Sequence, residues 1–164
     1  MIPILRQYLR PYTAPIVLVL FLLLVQAIAN LYLPALNADI INNGVVTGDI
    51  DYIIQTGAFM LVVTFVLMLA AFVAVYYSAK VAMGFGRDVR SALFRKVESF
   101  SQVELNHFGT ASLITRNTND VQQVQQVVLL ALTMMISAPI LAIGGVIMAY
   151  RQDGPLTAIL LVIL

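Results

Sequence analysis

The sequence predicts an all-α integral membrane protein whose long transmembrane helices extend into the cytosol. Of its 164 residues, 61% are hydrophobic and only 10% are charged, and the mean hydropathy is +0.95. A surface of ordinary polarity could not keep such a chain in water. A helix needs about 20 apolar residues to cross a bilayer. Three uncharged stretches meet that length: Pro15 to Leu36, Tyr52 to Ala79 and Val127 to Ala149.

Composition also excludes several kinds of site. A formal net charge of +1 argues against a nucleic-acid partner, which requires a clustered basic face that contacts phosphates. Without any cysteine, the chain has no disulfide framework, no thiolate nucleophile and no cysteine-based metal site. The single histidine, His107, excludes a site that needs two imidazoles. We therefore predict no catalytic residue, no cofactor-binding residue and no metal ligand in this chain.

The N-terminus predicts a short helix at the membrane surface. Arg6 and Arg10 precede an apolar run, as in a signal peptide. However, the uncharged stretch from Pro11 to Ala38 is too long for a signal sequence, whose apolar part has roughly 7 to 15 residues. We instead predict an interfacial helix over about residues 2–9, with both arginines toward lipid headgroups and its end at Pro11.

The predicted spans extend beyond these apolar stretches. They cover about residues 15–41, 51–100 and 112–150. A fourth is predicted to start over residues 155–164, which are still fully apolar where the sequence stops. A helix that ended half-way across a bilayer would leave backbone carbonyls without partners in hydrocarbon. We therefore expect the sequence to be a fragment of a longer polypeptide.

We expect a multi-pass protein of the plasma membrane. The positions of Lys and Arg predict that its N-terminus is cytoplasmic, because cytoplasmic loops are enriched in both residues. The segment between the first two spans carries three aspartates and no basic residue. The segment between the second and third spans, about residues 80–126, carries six basic residues: Lys80, Arg87, Arg90, Arg95, Lys96 and Arg116. The former is predicted to be an outer loop and the latter a large inner one.

The inner loop is predicted to be helical. Its apolar residues recur at helical spacing with charged residues on the opposite face: Val81, Phe85, Val89, Leu93, Val97 and Phe100, and later Leu113, Val121, Val124 and Val128. A helix from Asp51 to Phe100 would be roughly 75 Å long, against about 30 Å for the hydrocarbon core. Both helices must therefore project into the cytosol.

A capping box is predicted where these two helices meet. Ser101 would cap the amides of a new helix and Glu104 would reach back to the amide of the cap residue, which predicts a short helix over about Gln102 to Phe108. Gly109 supplies the backbone freedom to leave that helix. Thr110 or Ser112 can cap the next one.

Two ordered patterns in this loop resemble a known family. R-x-x-L-F-x-K-V starts at Arg90, and H-F-x-T-x-S-L-I-T-R-x-T-N-D-V-x-Q starts at His107. Together they resemble the first intracellular loop of B-type ABC exporters, particularly the bacterial heterodimeric multidrug exporters. The segment from Leu33 to Ile53 is similar to the family's first external loop, and the N-terminal IPILRQYLRPY resembles its elbow helix. The resemblance implies the N-terminal part of a type I exporter transmembrane bundle.

The resemblance also implies roles for particular residues. The first coupling helix of the family docks on the nucleotide-binding domains, and here it would comprise Ser101, Gln102, Val103, Glu104, Leu105, Asn106, His107 and Phe108. Arg116 and Asp120 correspond to the family's Arg and Asp after that helix. At i and i+4 they would form a loop-stabilising pair worth about 0.3–0.5 kcal/mol. Ala111 and Asn117 depart from the pattern, since many members have Gly and Leu there.

The ATPase is not in this sequence, which lacks a G-x-x-x-x-G-K-[ST] phosphate loop. The resemblance implies nucleotide-binding domains beyond this chain, with ATP and Mg²⁺ as their cofactors. It further implies a second half-transporter, in a homodimer or a heterodimer, and a hydrophobic drug or lipid as substrate.

Several other residues have two possible roles each. Gln26 and Asn30 cost free energy if they face lipid, so they would line a cavity or form hydrogen bonds between helices. Tyr76, Tyr77, Met134 and Met135 would line an apolar drug-binding cavity, or they would pack and anchor the spans. His107 would be a capping or interface side chain, or else a pH sensor.

Three function hypotheses follow. The first is the membrane part of an ATP-driven exporter, with ATPase domains docked on the inner loop. The second is a fragment of a secondary transporter or channel, which typically carries a charge or a broken helix in the membrane; the three apolar stretches contain no charged residue. The third is a structural or assembly protein of the membrane.

Overall fold

A computed structural model of the chain describes residues 2–135 and 137–152, and that part is helical with no strand. The predicted all-α class is confirmed. The predicted start of a fourth span lies outside the described residues. The α-helices are α1 (Ile2–Leu9), α2 (Thr13–Asp39), α3 (Ile50–Glu98), α4 (Gln102–Phe108), α5 (Thr110–Thr115), α6 (Val121–Leu130) and α7 (Ser137–Gln152).

Short turns of other helical types join several of these helices into longer runs. Arg10–Tyr12 forms a 3₁₀ turn, and Ile40–Val45, Arg116–Asp120 and Ala131–Met135 form π-helical turns. Three runs are long and apolar enough to cross a membrane, judged by length and composition: Leu5–Val45, Ile50–Glu98 and Thr110–Tyr150.

The junction between α1 and α2 differs in part from the prediction. The interfacial helix ends at Leu9, but Pro11 does not take the backbone out of helical conformation. It lies at the start of the 3₁₀ turn Arg10–Tyr12, where proline lacks only an N–H that has no intrahelical partner. Pro34 lies inside α2 and has no N–H to donate to the carbonyl of Asn30.

The chain divides into two compact units. The first comprises the residues up to Val19 together with Val75–Thr133. Val81 and Phe85 of α3 are fully buried there, and Val121 and Val128 of α6 are buried. These four residues of the predicted stripes lie in the core of this unit, whereas Leu93 is 37% exposed.

Polar contacts in the first unit set the register of α3 against α6. Arg90 Nη2 donates to Gln125 Oε1 at 3.2 Å, and Gln125 Nε2 contacts Met83 Sδ at 2.8 Å. Closer to the end of α3, Val97 and Leu113 line one hollow. The two segments are therefore antiparallel. Gly86 is buried against the side chain of Gln125.

The second unit comprises Leu20–Ala74 and the residues from Met134 onward. Here α7 approaches α2 where a Cβ on Gly144 would meet Leu31, as small residues allow in packed membrane helices. An open cavity of about 420 Å³ lies beside this contact, lined by Ile28, Leu31, Tyr32, Gly144, Ile147 and Met148.

Candidate functional site: a capped short helix between two long ones

The end of α3 is stabilised by its own sequence. Arg95 and Lys96 lie in its last turn, where positive charge interacts favourably with the helix dipole. Two backbone hydrogen bonds tighten the end, from Ser99 N to Lys96 O at 3.2 Å and from Phe100 N to Val97 O at 3.0 Å. The Ser99 hydroxyl also donates to Lys96 O at 2.7 Å. These bonds satisfy backbone carbonyls at the end of α3.

The predicted capping box starts α4. Glu104 N donates to Ser101 Oγ at 3.4 Å, and Ser101 N donates to Glu104 Oε2 at 2.7 Å. The Ser101 hydroxyl adds a third bond, to Glu104 Oε2 at 2.9 Å. The Ser101 N–H, followed by its hydroxyl, holds the pKa of the Glu104 carboxyl below its usual value. The short helix Gln102–Phe108 has the predicted bounds.

Gly109 ends α4 and begins α5. Its φ is +75° and its ψ is 132°, a conformation that a side chain would strain. The expectation that Thr110 or Ser112 caps the next helix is wrong, because α5 starts at Thr110 and has Gly109 at its cap position, with no side-chain hydrogen bond to its N-terminus. Gly109 is both the last cap position of α4 and the first cap position of α5, so no separate cap residue lies between the two helices.

A cluster of rings and cations lies at the junction of α3, α4 and α5. The rings of Phe100 and Phe108 are stacked, with centroids 5.5 Å apart and planes 19° apart. His107 meets Phe108 edge-on at 5.3 Å. Lys96 Nζ lies over the Phe100 ring at 5.8 Å, and the Arg116 guanidinium lies over the Phe108 ring at 5.9 Å. Phe108 therefore contacts residues from all the surrounding segments.

Arg116 and Asp120 were predicted to form a loop-stabilising pair. The described part of the chain contains an Arg87–Asp88 ion pair but no Arg116–Asp120 ion pair. Both residues lie in the π-helical turn Arg116–Asp120, which changes the α-helical spacing on which an i, i+4 pair depends. The Arg116 guanidinium instead faces Phe108.

The outer surface of α4 is open. None of its residues is buried, Leu105 is half-buried and His107 is exposed. The side chain of Val103 is 78% exposed, although valine is more often buried than exposed in folded proteins. The outer surface of α4 is therefore free of contacts within the described part of the chain.

The six candidate cavity residues lie in different units. Gln26, Asn30, Met134 and Met135 belong to the second unit, and Tyr76 and Tyr77 belong to the first. Gln26 Nε2 is buried and has no hydrogen-bond partner among the residues that the structure describes, whereas Asn30 is exposed. Met134 and Met135 are both largely exposed.

Tyr76 and Tyr77 contact each other. Their rings meet edge-on at 5.4 Å, and Lys80 Nζ lies 5.9 Å from the Tyr77 ring. None of the six candidates lines the 420 Å³ cavity of the second unit. Their cavity-lining role stays a prediction.

One polar cluster was not predicted from the sequence. The Tyr12 hydroxyl donates to Asp88 Oδ2 at 2.8 Å and accepts from Arg87 Nη2 at 3.3 Å. Arg87 Nε donates to Asp88 Oδ1 at 3.0 Å. A Cβ on Gly84 would clash with the Tyr12 ring, so the glycine makes room for it. Tyr12 thus attaches the turn after α1 to α3. No local pattern signals a contact between residues 76 positions apart.

These features define a helical membrane-protein domain in which a short capped helix connects two long helices. Residues 16–164 match the family described as the ABC transporter transmembrane region, and the chain belongs to this family. The resemblance seen in the sequence is confirmed. Of the three function hypotheses, the findings support the membrane part of an ABC transporter.

Relatives agree with this family. The chain is 44% identical over 162 residues to an uncharacterized ABC transporter ATP-binding protein of Mycobacterium tuberculosis (strain CDC 1551 / Oshkosh), which covers 99% of this chain and 28% of that protein. It is 33% identical over 156 residues to the uncharacterized ABC transporter ATP-binding protein YfiB of Bacillus subtilis (strain 168). That alignment covers 95% of this chain and 27% of the B. subtilis protein.

A more distant relative from Rickettsia typhi (strain ATCC VR-144 / Wilmington) is provisionally named an export ATP-binding/permease protein. It is 22% identical over 158 residues, covering 96% of this chain and 27% of that protein. The chain thus spans less than a third of the length of these curated relatives.

Proposed function

We propose that this chain is the N-terminal, membrane-spanning part of an ATP-driven export pump, and that α4 docks on the ATPase domain of the same assembly. The family supplies the transporter class. The observation that carries the docking proposal is the geometry of α4, a short helix capped at Ser101, ended at Gly109 and without a buried residue. Such a helix presents a rigid outer face at low entropic cost.

The names of relatives support an ATPase partner. The M. tuberculosis and B. subtilis proteins are named ATP-binding proteins, and the R. typhi name combines ATP binding with a permease. We propose that ATP and Mg²⁺ bind in an ATPase domain outside this chain, because the chain itself lacks a phosphate loop. The remaining proposed partners are the lipid bilayer, a second half-transporter and a hydrophobic small-molecule substrate.

Several residues of the spans are proposed to line the path of the substrate. Gln26 has a buried amide nitrogen without a hydrogen-bond partner, a costly arrangement unless another group approaches it. We propose that Gln26, Asn30, Tyr76, Tyr77, Met134 and Met135 line that path.

Crosslinking from α4 tests the docking proposal. The chain has no native cysteine, so His107→Cys or Leu105→Cys places a single reactive thiol on α4. We expect a benzophenone attached there, in the full-length protein with other cysteines replaced by serine, to form an adduct with a peptide of the ATPase domain. Mass spectrometry identifies that peptide.

The control is Gln122→Cys, an exposed position on α6 about 20 Å along the helix from α4 by a rise of 1.5 Å per residue. We expect no ATPase adduct from this control. Adducts with lipid alone, or equal adducts from α4 and from Gln122→Cys, would contradict docking at α4.

A further inference from the structure

The attachment of α4 to α3 depends on side chains. The backbone hydrogen bonds around α4 stay local, from Leu105 N to Ser101 O, from Gly109 N to Leu105 O and from Leu113 N to Gly109 O. In the described part of the chain, the Ser101 and Glu104 side chains form hydrogen bonds only with the backbone and side-chain groups of these two residues. The capping box therefore builds α4 but does not fix its angle to α3.

Two side-chain contacts connect α4 with α3 and the residues after it. Phe108 stacks on Phe100, two residues beyond the end of α3. Leu105 lines a hollow together with Phe94 and Val97 of α3. In addition, the Ser101 hydrogen bonds and, to a smaller extent, the positive charge of Lys96 lower the pKa of the Glu104 carboxyl. Leu105 and Glu104 provide apolar contact and long-range attraction, and neither strongly depends on orientation.

The stacked ring pair is different because its energy depends on angle. Aromatic rings carry a quadrupole, so a stacked pair with a cation over each ring favours particular orientations rather than mere proximity. Lys96 lies over Phe100, and Arg116 lies over Phe108. Lys96 is in the last turn of α3 and Arg116 starts the π-helical turn after α5. The four side chains thus connect both neighbours of α4.

We propose that Phe100, Phe108, Lys96 and Arg116 form an orienting joint, and that Phe108 and Arg116 are the positioning residues through which movement of α4 reaches α3 and the segment before α6. This inference rests on the proposed docking of an ATPase on α4. The joint does not touch the ATPase in this proposal. The joint determines how a displacement of α4 is passed to α3. The outer face of α4 is the surface on which the ATPase acts.

Phe108→Leu tests the joint, because leucine keeps apolar contact with Phe100 but removes the ring. Full-length protein in lipid nanodiscs carries a spin label at Val103→Cys on α4, and a second preparation carries one at Val46→Cys, an exposed position after α2. We expect Phe108→Leu to broaden the orientations of the Val103 label and to reduce the ATP-induced spectral change at Val46 by about two- to tenfold. That range is the interaction energy of one aromatic pair converted to a fold-change in an equilibrium constant.

A conservative variant separates this role from a general loss of structure. We expect Phe108→Tyr, which retains the ring, to keep the Val46 response that Phe108→Leu reduces. Arg116→Gln should reduce that response, and Arg116→Lys should restore part of it. Phe72→Leu is the control for the chemical change. Phe72 lies on α3 and is 79% exposed, and no ring or cation contact involves it in the described residues.

The outcomes distinguish the joint from the docking itself. If the wild-type protein gives no ATPase crosslink from α4, the proposed function fails first. If the crosslink forms and Phe108→Leu keeps a wild-type Val46 response and a wild-type Val103 spectrum, the orienting joint is wrong although docking stands. Equal effects of Phe72→Leu and Phe108→Leu would also overturn it.

Discussion

Ser101 and Glu104 each use side-chain and backbone groups to start α4. Ser101→Ala removes the acceptor for the Glu104 amide, and loss of a serine cap typically costs about 0.5–2 kcal/mol. We therefore expect amide hydrogen exchange at residues 102–105 to become about two- to thirtyfold faster, measured by mass spectrometry. Ser112→Ala, an exposed position without a capping bond, is the control, and equal acceleration by both variants would contradict the cap.

The cap should also depend on pH. The Ser101 amide holds the pKa of Glu104 below its usual value of 4.5. A carboxyl whose pKa is lower in the folded state stabilises that state above the unfolded pKa, and this contribution is lost as the pH falls through the folded pKa. We expect protection of residues 102–105, corrected for intrinsic exchange, to be constant near neutral pH and to fall below about pH 4.5. Glu104→Gln should remove this dependence. A pH dependence that persists in this variant would show that another group causes it.

Tyr12 joins the turn after α1 to the Arg87–Asp88 pair. Tyr12→Phe keeps the ring beside Gly84 but removes the hydroxyl, at a cost of about 0.5–1.5 kcal/mol for a net hydrogen bond. We expect faster hydrogen exchange over residues 5–12 and an unchanged rate over α4. Tyr8→Phe provides the same chemical change on α1 as a control. Unchanged exchange in Tyr12→Phe would mean that the ring alone holds α1.

At the scale of elements, substitutions at Gly57 and at Gly86 of α3 are expected to change stability in opposite directions. A Cβ on Gly57 meets nothing within 4 Å, whereas a Cβ on Gly86 meets the Gln125 side chain. Gly57→Ala should stabilise the helix by about 0.5–1 kcal/mol through lower backbone entropy. Gly86→Leu should cost about 1–3 kcal/mol by overpacking and should break the Arg90–Gln125 contact. Thermal unfolding in detergent measures both, and a lower melting temperature for Gly57→Ala would contradict the first expectation.

Most elements could be predicted from the sequence because their causes are local. Ser101, Glu104 and Gly109 determine the bounds of α4 through contacts within a few residues, and the structure gives those bounds. The apolar stripe from Val81 to Phe85 is buried as its period requires.

Contacts that depend on tertiary packing could not be predicted in this way. The π-helical turn at Arg116 replaces an expected i, i+4 pair with a contact to Phe108. Tyr12 meets Asp88 across 76 positions, and neither residue shows a periodic signal. Both cases depend on which helices come together, a property that single-sequence patterns do not contain.

At the scale of the whole molecule, the distribution of charge predicts opposite sides of the membrane for Val46 and Val103. The two side chains are matched in exposure, at 75% and 78%. Val46 lies in a segment with aspartates and no basic residue, whereas Val103 lies in the segment with six basic residues, which the positive-inside tendency assigns to the cytoplasm.

Thiol labelling in intact cells tests this orientation in the full-length protein. We expect a membrane-impermeant maleimide to label Val46→Cys in intact cells and Val103→Cys only after permeabilisation. A label at Val103→Cys in intact cells would place α4 outside, away from any cytoplasmic ATPase, and would contradict the docking proposal together with the orientation. Labelling of both positions only after permeabilisation would instead place the protein in an internal membrane or the α2–α3 segment on the inner side. Protease protection of isolated membranes separates those two cases.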